Sequence, residues 1–310
     1  MTAPDPVAHQ QAALLAMVRR HVASGDRYAL VDFPDHSNVG DSAIWLGEIA
    51  LLRGVTGRDP DYVCSWHDFD ANALRRACPS GILFLHGGGN LGDIWPHHQR
   101  FRESLLVEMR DRRIVQLPQS IHFRAPDGAR SFVAAAAAHP DFHLNVRDRR
   151  SLDWAARHLP GAVDLAPDSA FALGPQARAA ADHDVLMLLR TDDERAPLDR
   201  QALAAVPGSV LCDWLEDDAL PPRLAGDTQS TQYHRLASAR VARGTALLSR
   251  GRRIVTDRLH AHILALLLGI PHVVLDNYYG KLAAYLDAWT GAAPSVRRAG
   301  DAADAVAALG

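Results

Sequence analysis

The chain has 310 residues, of which 48% are hydrophobic and 22% charged, with a formal net charge of −3 at pH 7. That is the balance of a globular protein long enough for two domains. It excludes a wholly disordered or fibrous chain and supplies no global positive field for nucleic-acid binding. Three widely spaced cysteines, Cys64, Cys78 and Cys212, form no CxxC pair, so neither a disulfide framework nor a thiolate metal site is expected.

The opening residues lack a basic patch followed by an apolar core, and the longest apolar stretch, Ile263–Ile270, is far too short to span a bilayer. A cytoplasmic protein in a reducing compartment is therefore expected. Lys281 is the only lysine among 33 basic residues. A genome rich in G and C accounts for the bias, yet the one lysine that persists marks its loop for attention.

Apolar runs bounded by turn residues predict strands at Tyr28–Phe33, Tyr62–Trp66, Ile82–His86, Ile114–Leu117 and His143–Val146. Between them, apolar residues returning every three or four positions predict helices at Ser42–Arg53, Asn72–Cys78, Gln99–Arg112, Gly128–His139 and Arg149–His158. The second half repeats the theme, with strands at Val185–Leu189, Val210–Trp214, Ile254–Thr256 and His272–Leu275. Its helices lie near Tyr233–Ser249, Leu259–Leu268 and Leu282–Trp289. Regular alternation of strand and helix implies α/β architecture with parallel sheets covered on both faces. The boundary is expected in Phe171–His183, after the Pro167-Asp168-Ser169 turn, dividing the chain into 1–175 and 176–310.

Ligands of open α/β sheets bind beyond the carboxyl ends of the strands, so the residues after each apolar run carry the functional signal. After the first strand comes Asn38-Val39-Gly40-Asp41, entering a helix whose first-turn N–H groups suit an anion. Asp41 alone reads equally well as a cap. After Ile82–Leu85 comes His86-Gly87-Gly88-Gly89-Asn90-Leu91-Gly92-Asp93, where consecutive glycines allow close backbone approach to a ligand. Gly87, Gly89 and Gly92 satisfy GxGxxG formally. However, Pro96 interrupts the helix that a dinucleotide site needs, and no acidic residue closes the next strand. A Walker A loop is excluded, because the only lysine lies elsewhere.

Arg147, in Arg147-Asp148-Arg149-Arg150-Ser151, stands at a strand end where a guanidinium fork suits phosphate or carboxylate. In the second half, Arg190 ends one strand, and Thr256-Asp257-Arg258-Leu259-His260-Ala261-His262 passes from strand to helix. His260 lies in a first helical turn, where the macrodipole disfavours a permanent positive charge and suits a titrating acid or base. Lys281 closes another strand-end loop, Asp276-Asn277-Tyr278-Tyr279-Gly280-Lys281. Arg147, Arg190, Arg258, His260 and Lys281 together suit a small substrate bearing both phosphate and carboxylate. No GxSxG or HExxH motif is present.

Taken in order across nearly the whole chain, these loops resemble the polysaccharide pyruvyltransferase family. The resemblance rests on Asn38-Val39-Gly40-Asp41, Gly87–Asp93, Arg147-Asp148 with Ser151, Pro167-Asp168, Leu189-Arg190-Thr191-Asp192, and Thr256–Ala261 leading to Asn277–Lys281. The triple glycine and Arg258-Leu259-His260 are its most specific parts. It implies two Rossmann-like domains of the glycosyltransferase-B type facing a cleft, with a C-terminal helix, 300–310, packed back on the first domain. It further implies phosphoenolpyruvate as donor, a glycan or lipid-linked oligosaccharide of exopolysaccharide or cell-wall synthesis as acceptor, and a pyruvate ketal as product.

Neither a metal nor another cofactor is expected, and a lipid-linked acceptor would bring the protein to a membrane surface without spanning it. In this reading His260 is the general acid/base, and Arg190, Arg258 and Lys281, with Arg147, hold the donor. Asn38, Asp41, Gly88, Gly89, Asn90 and Asp93 form the acceptor loops. The alternative on the same fold is a glycosyltransferase using a nucleotide-sugar donor, and a non-catalytic glycan-binding protein is the other rival.

Overall fold

The computed structural model describes residues 5–124, 126–161, 163–192, 195, 197–215, 221–276 and 280–309, with the backbone alone for Pro126 and Lys281. The first half contains strands β1 (Tyr28–Val31), β2 (Tyr62–Cys64), β3 (Ile82–Leu85), β4 (Gly88–Gly92), β5 (Ile114–His122), β6 (Phe142–Val146) and β7 (Val163–Leu165). Helices α1 (Pro6–Val18), α2 (Val39–Thr56), α3 (Ala71–Ala77), α4 (Pro96–Glu108), α5 (Arg130–Ala138) and α6 (Arg149–His158) cover them. The second half contains β8 (His183–Leu188), β9 (Ser209–Cys212), β10 (Gly251–Thr256), β11 (His272–Leu275) and β12 (Val296–Ala299). Its helices are α7 (Arg200–Ala204), α8 (Gln229–Ser249), α9 (Leu259–Leu267), α10 (Lys281–Tyr285) and α11 (Ala302–Ala307).

All strand pairs among the described residues are parallel. The first sheet runs β2-β1-β3-β5-β6-β7, with β4 beside the second part of β5, and the second runs β12-β11-β10-β8-β9. In each sheet the order reverses beside the first strand, between β1 and β3 and again between β8 and β10. Such a reversal splays the following loops apart and opens a crevice at the strand ends. The two crevices face one another, giving the Rossmann-like, glycosyltransferase-B-like architecture that the resemblance implied.

Local chemistry sets the element ends. Asn38 caps α2 by accepting the Gly40 N–H at 3.1 Å, and Gly57 ends it at φ 71°, where a side chain would be strained. Asp148 caps α6 by accepting the Ser151 N–H at 2.8 Å. One apolar cluster runs through both halves, from Leu14, Phe33 and Trp45 to Leu186, Leu259 and Tyr285. Across the seam Phe33 stacks on Tyr233 of α8 with ring centroids 3.9 Å apart.

The structure corrects several expectations. Gly88–Gly92, read as a loop, forms β4: without apolar alternation it gives no strand signal, yet its glycines let it lie against β5. A Cβ on Gly92, at φ 144°, would strike the His122 carbonyl. Pro96, taken to interrupt a helix, opens α4 at a position where the missing N–H costs nothing. The C-terminal helix does not pack back on the first domain. Ala302, Ala305 and Leu309 instead join Val185, Met187, Val255 and Val273 in the core of the second sheet, because β12 places α11 on that sheet's face.

Candidate active site between the two sheets

A cavity of about 400 Å³ lies where the crevices meet. The first domain contributes the loop after β1 (Pro34, His36, Ser37, Asn38), Asp41, His86 after β3, Gly89 and Asn90 on β4, Trp95 and His98 at the start of α4, and Arg147 after β6. The second contributes Arg190, Asp192, Trp214, Leu215, Arg258, Leu259, His260 and Leu282.

Behind Arg147 and His260 in the cavity wall lies Asp168, fully buried. It accepts hydrogen bonds from Arg147 Nη1 at 2.5 Å, His260 Nε2 at 3.3 Å and the Ala170 N–H at 2.9 Å, and its own N–H donates to the Tyr285 hydroxyl at 3.1 Å. Burial works to raise the Asp168 carboxyl, but the charges of His260 and Arg147 and these hydrogen bonds outweigh it and hold the group well below the usual carboxylate range. Arg147 is fully buried too. Its Nε donates to Ser120 Oγ at 3.0 Å, while Nη2 has no hydrogen-bond partner among the described residues. A guanidinium nitrogen left unpaired away from water is costly, and an anion beside it would relieve that cost.

His260, on α9 of the second domain, is held by residues of the first. Besides Asp168, it meets Gly40 in the first turn of α2 so closely that a Cβ there would collide with its Nδ1, Cγ and Cβ. The first turns of α2 and α9 therefore converge on one imidazole. Arg258, almost fully buried before α9, forks onto Asp213 through Nε and Nη2, both at 2.7 Å, and Nη2 also lies 3.1 Å from Asp192. Hydrogen bonding and charge from Arg258 hold the Asp213 carboxyl low despite its burial. Arg190 forks onto Asp192 at 2.8 and 3.1 Å.

On the first domain's wall Asn38 donates through Nδ2 to Asp41 at 2.8 Å. Asn90 Oδ1 accepts from Arg102 Nη2 and Gln119 Nε2, both at 2.7 Å, which fixes the amide with its nitrogen still to offer. Burial pushes the Arg102 guanidinium down to about 10. The structure thus brings Arg147, Arg190, Arg258, His260, Asn38, Asp41, Gly89 and Asn90 to one cavity. Gly88 lies behind it at φ 113°, against Ile44 and Asp41. Asp93 does not reach it: its carboxylate turns away to accept the Arg124 N–H at 2.8 Å. Lys281 opens α10, but its side chain and Asn277–Tyr279 lie outside the described residues.

Several groups carry no functional signal in the sequence. Asp168 shows there only as a turn residue and in the resemblance, without a role. Glu48, fully buried on α2, holds His86 Nδ1 at 2.7 Å and the Gly87 N–H at 2.8 Å, and burial raises its carboxyl. Asp32 holds His98 Nδ1 at 2.7 Å. Among the described residues, no group of three or more His, Cys, Asp or Glu is arranged to hold a metal ion, and no helix is long and apolar enough to cross a membrane.

The family model described as polysaccharide pyruvyl transferase matches residues 38–278. Pyruvyl transferase 1 of Schizosaccharomyces pombe is 34% identical over 304 residues, covering 90% of this chain and 74% of that protein. EpsO of Bacillus subtilis is 29% identical over 286 residues, covering 86% of each. The crystal structure of an uncharacterized protein from Klebsiella pneumoniae shares the fold, with a TM-score of 0.61, 17% identity and coverage of 94% of this chain and 98% of that one. The chain belongs to the polysaccharide pyruvyl transferase family.

Proposed function

We propose that this enzyme transfers the pyruvyl group of phosphoenolpyruvate to two hydroxyls of one sugar in a polysaccharide or its precursor, forming a pyruvate ketal and releasing phosphate. The observation that carries the reading is the unpartnered Nη2 of buried Arg147, beside His260 at the meeting of two helix N-termini. A small, strongly anionic donor answers that environment, because guanidinium forks and first-turn N–H groups both bind phosphate and carboxylate oxygens.

In this mechanism Arg147, Arg190 and Arg258 hold the donor's phosphate and carboxylate. Lys281 joins them on its sequence position alone. His260, as imidazolium stabilised by Asp168, delivers a proton to C3 of the enol, leaving C2 electron-poor. A sugar hydroxyl attacks C2, phosphate leaves, and the second hydroxyl closes the ketal. Asn38, Asp41 and Asn90 orient the sugar from the first domain.

The test is phosphate release from phosphoenolpyruvate by the purified protein, with and without a panel of free and lipid-linked oligosaccharide acceptors. Acceptor-dependent release is expected, reduced about 10²- to 10⁴-fold in His260→Ala. Binding of a sugar nucleotide without any phosphate release would return the chain to the glycosyltransferase reading.

A further inference from the structure

We propose that His98, oriented by Asp32, is the base that takes the proton from the first attacking acceptor hydroxyl. This rests on the pyruvyl-transfer reading and assigns a step that His260, as proton donor to C3, leaves open.

Among the described residues, three hydrogen-bonded carboxylate–histidine pairs meet the cavity wall: Asp168 with His260, Glu48 with His86, and Asp32 with His98. His86 is sealed: it is only 2% exposed, and its Nε2 has no partner among the described residues and no accessible surface, so a substrate hydroxyl cannot reach it. His36 already turns its Nε2 to Asp41 at 3.6 Å. His98 differs from both. Its side chain is 14% exposed at the cavity while Asp32 is buried behind it. A carboxylate only accepts, so the 2.7 Å contact puts the ring proton on Nδ1 and leaves the Nε2 lone pair of the neutral ring as acceptor. A base set by a carboxylate behind it is the general arrangement for activating a hydroxyl.

The backbone supports the assignment independently. Asp32 has φ 74°, the one left-handed non-glycine residue among those described, immediately after β1 at the switch point of the first sheet. Left-handed backbone in a buried residue costs conformational energy and is held only where its surroundings demand it. Here it accompanies a carboxylate seated on His98.

The step balances. As the C2–C3 π pair takes a proton from His260 at C3, the first hydroxyl oxygen bonds to C2 and its proton passes to His98 Nε2. The C2–O bond to phosphate then breaks with its electron pair going to phosphate. The second hydroxyl bonds to C2, and its proton leaves with the phosphate. The proton on His98 returns through solvent to replace the one spent by His260.

The experiment measures kcat, KM and phosphoenolpyruvate binding for wild type, His98→Gln, His98→Gly and Asp32→Asn. The acceptors are methyl glycosides of galactose, glucose and mannose with free 4- and 6-hydroxyls. The expected result for His98→Gln is a kcat lowered about 10²- to 10⁴-fold, with donor affinity within about threefold of wild type. Imidazole added to His98→Gly is expected to restore part of the turnover, which a merely structural residue would not allow. Asp32→Asn presents an amide that favours the opposite tautomer, so kcat falls while KM for the donor stays. Full kcat in His98→Gln, donor binding lost in step with turnover, or no imidazole rescue would overturn the assignment. A wild-type protein inert with these glycosides and with the panel of free and lipid-linked oligosaccharides would overturn the pyruvyl-transfer reading itself.

Discussion

Gly40 packs against the imidazole of His260, so the first turn of one domain's helix fixes the side chain presented by the other. Any side chain at this position must displace either the ring or the start of α2. Gly40→Ala is expected to lower turnover at least about tenfold and to cost about 1–3 kcal/mol of stability through overpacking. Phosphate-release kinetics beside urea denaturation checks both, and unchanged turnover would show that the ring tolerates displacement.

Arg258 makes a fork on Asp213 while also reaching Asp192, which a lysine ammonium cannot reproduce in one position. Arg258→Lys should raise KM for phosphoenolpyruvate by about tenfold or more, about 1.4 kcal/mol of donor binding. Steady-state titration of the donor at saturating acceptor measures it.

Asp168 supplies the countercharge for Arg147, and both side chains are fully buried. Asp168→Asn leaves that guanidinium uncompensated and should cost about 3–5 kcal/mol. Because the folded carboxyl lies below its unfolded value of about 4, its contribution is complete above that pH and is lost as pH falls toward the folded value. The variant's stability should therefore respond less to acid than wild type over that range, as read by denaturant midpoints.

A second acid response comes from a chain of hydrogen bonds away from the cavity. His272 Nδ1 donates to the Ile270 carbonyl at 2.8 Å, its Nε2 accepts from His262 Nδ1 at 2.7 Å, and His262 Nε2 accepts from Thr290 Oγ1 at 2.8 Å. Each acceptor nitrogen must be unprotonated. Burial lowers His272 to about 4 and His262 well below its ordinary value. The unfolded chain thus binds more protons, so stability is full above about pH 6.5 and declines as pH falls toward 4, by about 3 kcal/mol for His272 alone. Calorimetry from pH 7 to pH 4.5 should show that decline, and a flat response would contradict the buried neutral pair.

The strand-end loops were legible because apolar runs such as Tyr28–Val31 and Ile82–Leu85 stop abruptly at polar, glycine-containing segments. Arg147, Arg190, Arg258 and His260 followed from that rule. What the sequence could not show is which residue faces which across the cleft. Asp213, 45 positions from Arg258, carries no local mark of its pairing. Asp32 sat inside an apparent strand, and its left-handed turn has no glycine to announce it. Asp93, by contrast, looked like its neighbour Asn90 but turns outward, because β4 ends beside it.

The apolar seam joining Phe33 and Trp45 to Tyr233 and Leu259 has a mechanical consequence. Parting the halves would expose aromatic and aliphatic surface along α2, α8 and α9, so neither half is expected to persist as an independent body. Heating should produce one cooperative transition rather than two. The two sheets are therefore expected to keep a fixed spacing while substrates reach the cavity at the strand-end loops that rim it.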